Sequence, residues 1–154
     1  MALVYVNVGS NLGDKLSLIS KAIEKISQEF VYYCLSEFVE SEPWGFNSTN
    51  RFLNVGISFR SELHPEDILS KLQTIEKSIC RKSHRDSHGN YVDREIDIDI
   101  MAIGEIEYIS ERLILPHPHL LERYFFLKPL SELNPVWCDP YTNKKITEII
   151  EEIR

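Results

Sequence analysis

The chain has 154 residues, a formal net charge of −7, 43% hydrophobic residues and 27% charged residues. That length buries a core without disulfides or a structural metal, and the balance of apolar to charged residues excludes a disordered chain. No apolar run approaches the ~20 residues that span a bilayer, and the acidic balance lacks the basic footprint of a nucleic-acid binder.

The opening Met-Ala-Leu-Val-Tyr-Val has neither a basic segment nor a cleavage site, so it reads as a strand over 3–8 ended by Gly9, not a signal peptide. Ser10 or Asn11 is expected to cap a helix over about 12–30, with Leu16, Ile19, Ala22, Ile23 and Ile26 at helical spacing. Residues 31–39 form the second expected strand, 42–47 a long turn, and 52–59 a third strand pairing with the second as a hairpin. A second helix over 65–80 has Pro65 at a favoured first-turn position and an apolar stripe of Ile68, Leu69, Leu72, Ile75 and Ile79. Residues 81–93 read as a polar loop, and 95–103 as an alternating strand. Beyond it are expected a strand at 105–109, short helical turns around Pro129 within 120–133, and a terminal helix over 146–153.

Nothing in the chain suggests a repeat or a linker, so 1–154 is expected to be a single domain. The order β-α-β-β-α-β is the ferredoxin-like pattern. It predicts an α+β sandwich, an antiparallel sheet carrying helices on one face, with short C-terminal helices added. Cys34, Cys80 and Cys138 are odd in number and form no C-x-x-C pair, which suggests free thiols in a reducing cytosol.

Chemistry concentrates in Glu95-Ile96-Asp97-Ile98-Asp99-Ile100. Strand alternation sends the isoleucines one way and Glu95, Asp97 and Asp99 the other, with neighbouring carboxylates ~6.6 Å apart along the strand. Asp is disfavoured in strands, and a divalent cation would relieve the repulsion. Carboxylates suit Mg²⁺, and two such ions could clamp a phosphoryl group. By itself the pattern fits the solvated face of an edge strand better than a metal site. Arg81, Lys82, Arg85 and Arg94 precede it, however, and guanidinium groups bind phosphate in bidentate geometry. Acidic strand and basic loop together favour phosphoryl chemistry.

His117, between Pro116 and Pro118, is held rigidly and suits a phosphate contact, although a structural role fits as well. His84 and His88 lack a neighbouring Glu motif, so no zinc site is expected. The stretch from Gly9 to Asp14 is not a P-loop, since no Lys-Ser/Thr follows Gly13, and is better read as a tight turn with a helix cap. Trp44, Phe52, Tyr91 and Phe125 could stack a flat heterocycle, core packing being the ordinary role of Phe52 and Phe125.

Taken in order, Gly9-Ser-Asn-Leu-Gly-Asp, Pro43-Trp-Gly, Phe52-Leu-Asn54, Glu76, Arg94-x-Ile-Asp97-x-Asp99-Ile and Arg112-Leu-x-x-Pro-His117-Pro, with Arg123 and Phe125 beyond, make the chain resemble the 6-hydroxymethyl-7,8-dihydropterin pyrophosphokinase family nearly end to end. The resemblance implies pyrophosphate transfer from ATP, as co-substrate, to a pterin alcohol in folate biosynthesis. It makes Asp97 and Asp99 ligands of two Mg²⁺ ions, and Asp97, Asp99, Arg94 and Arg81 the catalytic set. Gln73, Glu76, Arg81, Arg94, Ile100, Arg112, His117 and Arg123 are implied around ATP. Ser41, Pro43, Trp44, Phe52, Asn54, Tyr91 and Phe125 are implied around the pterin. Family members often carry Arg-Trp-Gly-Pro-Arg before the acidic strand. This chain has His88-Gly-Asn-Tyr-Val-Asp93-Arg94, where Arg94 aligns and Lys82, Arg85 and Tyr91 compete for the remaining roles.

The expected partners are therefore small molecules, with no nucleic acid and no membrane, and a cytoplasmic monomer or weak oligomer. A two-metal nucleotidyl transferase and a non-catalytic ligand- or RNA-binding module on the same fold are the alternatives.

Overall fold

The computed structural model describes residues 1–42, 50–79 and 95–153. In chain order it contains β1 (Ala2–Ser10), α1 (Lys15–Glu29), β2 (Val31–Ser41), β3 (Phe52–Ser61), α2 (Pro65–Ile79) and β4 (Asp97–Ile103). A short ribbon of β5 (Tyr108–Ile109) and β6 (Ile114–Leu115) follows, then a 3-10 turn at Leu120–Glu122, α3 (Tyr124–Leu133) and α4 (Ile146–Ile153). The main sheet runs β2-β3-β1-β4 with every neighbouring pair antiparallel, the ferredoxin-like α+β arrangement that the element order predicts.

Alternation in β1 gives the sheet two different faces. Val4, Val6 and Val8 are fully buried against Ile19 and Ile26 of α1 and Ile68 and Leu72 of α2. Tyr5 belongs to a second core with Phe126, Leu127 and Leu130 of α3 and Ile149 of α4. Helices therefore cover part of the second face too, beyond the one-sided layering expected from sequence.

The reason lies at Pro129. Separate helical turns were expected there, whereas α3 is one helix with the proline inside it. A proline at 129 has no N–H to give the Phe125 carbonyl. Asn7 on β1 supplies the donor instead, its Nδ2 lying 2.9 Å from that oxygen. Gly56 on β3 makes room for the ring, because a Cβ there would stand 2.7 Å from Pro129 Cβ. The helix is thus keyed to the sheet at two strands.

The α1 cap also differs from expectation. β1 continues through Ser10, Asn11 Nδ2 donates to the Asn50 carbonyl, and Asp14 caps the helix by accepting the Ser17 N–H at 3.2 Å. Gly13, at φ +76°, adds the left-handed turn that moves the start of the helix to Lys15.

One irregularity matters for the site. Val6 pairs with Ile100 and Tyr5 with Ala102, so Met101 is an extra residue in β4. Ile98 and Ile100 lie in the core under α1 and α2, whereas Met101 and Ala102 both enter the core under α3 and α4. Asp97 and Asp99 share that second face, just beyond the cover of α3.

Candidate active site

The register builds the site as rows across the sheet. Gly9 pairs with Asn54 on one side and Asp97 on the other, and Asn7 pairs with Asp99. Asn54 and Asp97 are thus two strand spacings apart, roughly 9–10 Å, with a residue lacking a side chain between them.

Asn54 is 2% exposed. Its Nδ2 donates to the Val39 carbonyl at 3.2 Å and to Ser41 Oγ at 2.9 Å. Both amide protons being used, Oδ1 is left as an acceptor, and it leans over Gly9, where a Cβ would stand 2.8 Å away. Phe52 is buried beside them, and Ser41 pairs with it at the same end of the sheet. Phe125, at the start of α3, is half-buried, and its carbonyl is the one held by Asn7.

The other half of the site lies on β4, an edge strand. Glu76 of α2 turns Oε2 to the edge and accepts the Ile98 N–H at 2.8 Å, between the two aspartates in sequence. Burial pushes the Asp99 carboxyl well above the usual carboxylate range, with the charge and hydrogen bonding of Asp97 adding to the effect and Arg123 opposing it. Arg123 also sits over the Phe126 ring, 4.9 Å from its centroid.

His117 is fastened to the same strand. Its N–H donates to the carbonyl of the bulge residue Met101 at 2.8 Å. Its Nδ1 accepts the His119 N–H at 3.1 Å, which leaves Nε2 to carry the ring proton. Burial, then the charges of Arg123 and His119, lower its pKa to about 4. His117 is accordingly a neutral hydrogen-bond donor near pH 7.

Between α2, β4 and the segment 111–118 lies a cavity of about 400 Å³. Of the residues implied around ATP, it brings together Gln73, Glu76, Ile100, Arg112 and His117, alongside Asp97 and Asp99. Arg123 stands outside the lining but close enough to act on both Asp99 and His117. Ser41, Phe52, Asn54 and Phe125 gather on the neighbouring part of the sheet, not in the cavity. Pro43, Trp44, Arg81, Tyr91 and Arg94, with Lys82 and Arg85, lie outside the described residues, as do the expected loop at 81–93 and most of the turn at 42–47.

Among the described residues no group of three or more His, Cys, Asp or Glu side chains converges as a metal cage. Two carboxylates on one face, one of them resisting ionisation, match a hard cation that takes its remaining ligands from water and phosphate. They do not match a closed zinc site.

Sequence reasoning missed Asn7, and on α2 it missed Glu66 and Ser70, which continue the stripe of the implied Gln73 and Glu76. Glu66, Ser70, Gln73 and Glu76 follow one another at spacings that keep them on one helix face, a pattern visible beside the apolar stripe.

Comparison with known proteins adds an independent line. The family model for 7,8-dihydro-6-hydroxymethylpterin-pyrophosphokinase (HPPK) matches residues 5–135. A 2-amino-4-hydroxy-6-hydroxymethyldihydropteridine pyrophosphokinase of Porphyromonas gingivalis is 44% identical over 142 residues, covering 91% of this chain and 95% of that protein. The protein of the same name from Aquifex aeolicus is 37% identical over 152 residues, covering 99% of this chain and 92% of that protein. A solved HPPK-DHPS chain in complex with substrates superposes with a TM-score of 0.73 at 12% identity. That likeness is one of fold, and this chain spans 43% of that longer one.

Proposed function

The chain belongs to the 7,8-dihydro-6-hydroxymethylpterin-pyrophosphokinase family, and from that premise we propose that it transfers pyrophosphate from ATP to 6-hydroxymethyl-7,8-dihydropterin, releasing AMP, in folate synthesis. The observation that carries the reading is the adjacency of two unlike halves. A cavity lined by Asp97, Asp99, Arg112 and His117 adjoins a neutral shelf formed by Asn54, Ser41 and Phe52.

On this reading the triphosphate lies along β4. Arg123 and the Nε2–H of His117 hold phosphate oxygens, assisted by Arg94 and Arg81. Gln73, Glu76, Ile100 and Arg112 surround the nucleoside. The pterin lies over Gly9, its polar edge on Asn54 Oδ1 and the backbone near Ser41, Pro43 and Trp44, and its faces between Phe125 and Tyr91, with Phe52 beneath. Asp97 and Asp99 would hold Mg²⁺, two ions being expected, and the metal would neutralise phosphate charge. The pterin hydroxyl attacks the β-phosphorus in line, the bond from that phosphorus to the α–β bridging oxygen breaks, and AMP leaves. Rate acceleration then comes mainly from positioning and electrostatic stabilisation.

The same reading assigns 1–154 to one catalytic domain, working as a monomer or weak oligomer in the cytosol. Cys34 and Cys138 are free thiols, in keeping with a reducing compartment. Among the described residues, no helix is long and apolar enough to cross a membrane.

The test combines protein, Mg²⁺, ATP and the reduced pterin alcohol and follows the nucleotide product. AMP is expected. ADP as the sole product, or turnover that survives Asp97→Ala, overturns the reading.

A further inference from the structure

One wall of the cavity is a ribbon outside the main sheet, whose strands β5 and β6 contribute only two residues each. A two-stranded ribbon of that size has little stability of its own. Its turn is closed by Ser110, whose N–H donates to the Leu113 carbonyl at 2.9 Å and whose Oγ accepts the Leu113 N–H at 3.2 Å. Leu113 and Leu115 anchor it in the core below.

Above that core the ribbon is tied to α2 at two points. The Tyr108 hydroxyl donates to Glu66 Oε2, and its ring meets His64 edge-on at 5.6 Å. One turn further along the helix, Arg112 Nη2 donates to Ser70 Oγ at 3.0 Å and to Gln73 Oε1 at 3.2 Å. Glu66 joins the two points, its Oε1 lying 3.8 Å from Arg112 Nη1. Glu66 is itself well placed, since a carboxylate in the first turn of a helix is favoured there and His64 Nδ1 accepts its N–H at 3.2 Å. Arg112 and Gln73 line the cavity, whereas Tyr108 and Glu66 do not.

We infer that Tyr108 and Glu66 form a latch that positions Arg112 and Gln73 at the mouth of the cavity and thereby sets nucleotide affinity. The inference rests on the reading of that cavity as the ATP site. A free Arg on an exposed turn loses rotamer freedom when a ligand orders it. A guanidinium already held by Ser70, Gln73 and Glu66 has lost that freedom before the nucleotide arrives, so the binding step is spared the cost. Two attachment points also fix the rotation of the ribbon about α2, which a single contact leaves open. Tyr108 and Glu66 are positioning residues in this scheme, acting through Arg112.

The experiment measures binding of Mg²⁺ with a non-hydrolysable ATP analogue by calorimetry, and steady-state AMP release. The variants are Tyr108→Phe, Glu66→Gln, Arg112→Ala and the double variant Tyr108→Phe/Arg112→Ala. Tyr108→Phe is expected to weaken analogue binding by about three- to tenfold, the scale of one lost hydrogen bond, and to raise KM for ATP by the same factor. Its kcat and its KM for the pterin alcohol stay within about twofold. Glu66→Gln still accepts the Tyr108 hydroxyl and so is expected to lose less affinity than Tyr108→Phe. The double variant binds no more weakly than Arg112→Ala alone, because Tyr108 acts on the nucleotide through Arg112. Unchanged analogue affinity in Tyr108→Phe, equal losses for both substrates, or additive losses in the double variant each overturn the latch. A wild-type chain that binds no analogue overturns the cavity reading and the latch with it, so the two failures are told apart.

Discussion

Across β1 the site divides into a neutral half on β3 and a charged half on β4, and the two are held together in opposite ways. On β3, Asn54 has both amide protons bonded within the protein and little left to gain from rearranging. On β4, Asp99 resists ionisation beside Asp97, and His117 is kept uncharged near Arg123. Among the described residues, the Asn54 amide of the neutral half is fixed in place before any ligand arrives. The charged half is left electrostatically unfavourable, and a cation and polyphosphate are the groups that would relieve it. Stability and function therefore coincide on one side of β1 and conflict on the other.

The sharpest way to break this contrast is at the aspartates. Asp97→Ala should lower AMP release by at least about 10³-fold, since metal-assisted charge stabilisation is worth several kcal/mol. Asp99→Asn should also abolish turnover, yet raise the metal-free Tm. A carboxyl whose folded pKa is raised costs stability as pH climbs from its unfolded value towards its folded one, so near neutrality the buried carboxyl is a burden that Asn removes. Each kcal/mol recovered is worth about 2–4 °C in a chain of this size, and differential scanning calorimetry without Mg²⁺ reads it. A lower Tm would deny that the pair is unfavourable.

The neutral half should give the reverse pattern. Asn54→Ala removes the acceptor above Gly9 and is expected to weaken pterin binding by about 10–100-fold while also lowering Tm, because a buried hydrogen-bonded group is lost. Gly9→Ala brings a methyl within 2.8 Å of Asn54 Oδ1 and should cost about tenfold in pterin affinity. Titration with the pterin alone, followed by its fluorescence, measures both variants. Affinity for the ATP analogue should hold in each, and loss of both ligands together would erase the boundary at β1.

The smallest effect is in pH. An unfolded His titrates near 6.5, whereas burial lowers the pKa of His117 to about 4. Between those values the unfolded chain takes up a proton that the folded chain refuses, so His117 stabilises the fold above pH ~6.5 and this contribution fades as pH falls towards ~4. Denaturant midpoints across that range should slope less in His117→Gln than in the wild type, and parallel slopes would show that the ring is not held neutral.

Much of this was legible from local periodicity. Alternation around Asp97 and Asp99, and the stripe from Ile68 to Ile79, need only nearest neighbours, and both stand as read. The element order likewise specifies the sheet order. What the sequence hid depends on partners far along the chain. Pro129 sits inside a helix because Asn7, 118 residues away, satisfies the carbonyl it frees. Tyr108 finds Glu66 across 42 residues. The cap fell to Asp14 instead of Ser10 or Asn11 because β1 runs on through Ser10 alongside Leu53, a pairing that no local propensity encodes.

The extra residue at Met101 also gives the strand slack as such a chain evolves. Side chains in a strand alternate like a two-letter reading frame, and the bulge is a frameshift lodged between the aspartates and the rest of β4. Deleting Met101 would join Ile100 directly to Ala102 while Val6 still meets Ile100 and Asn7 still meets Asp99, so Asp97 and Asp99 would keep their face and Ile98 and Ile100 would stay in the core. A one-codon deletion at the bulge therefore straightens β4 without turning the site over, whereas a one-codon insertion or deletion between Asp97 and Asp99 sends them to opposite faces. Lineages should accordingly tolerate loss of the residue at 101 while keeping the spacing of Asp97 and Asp99 fixed.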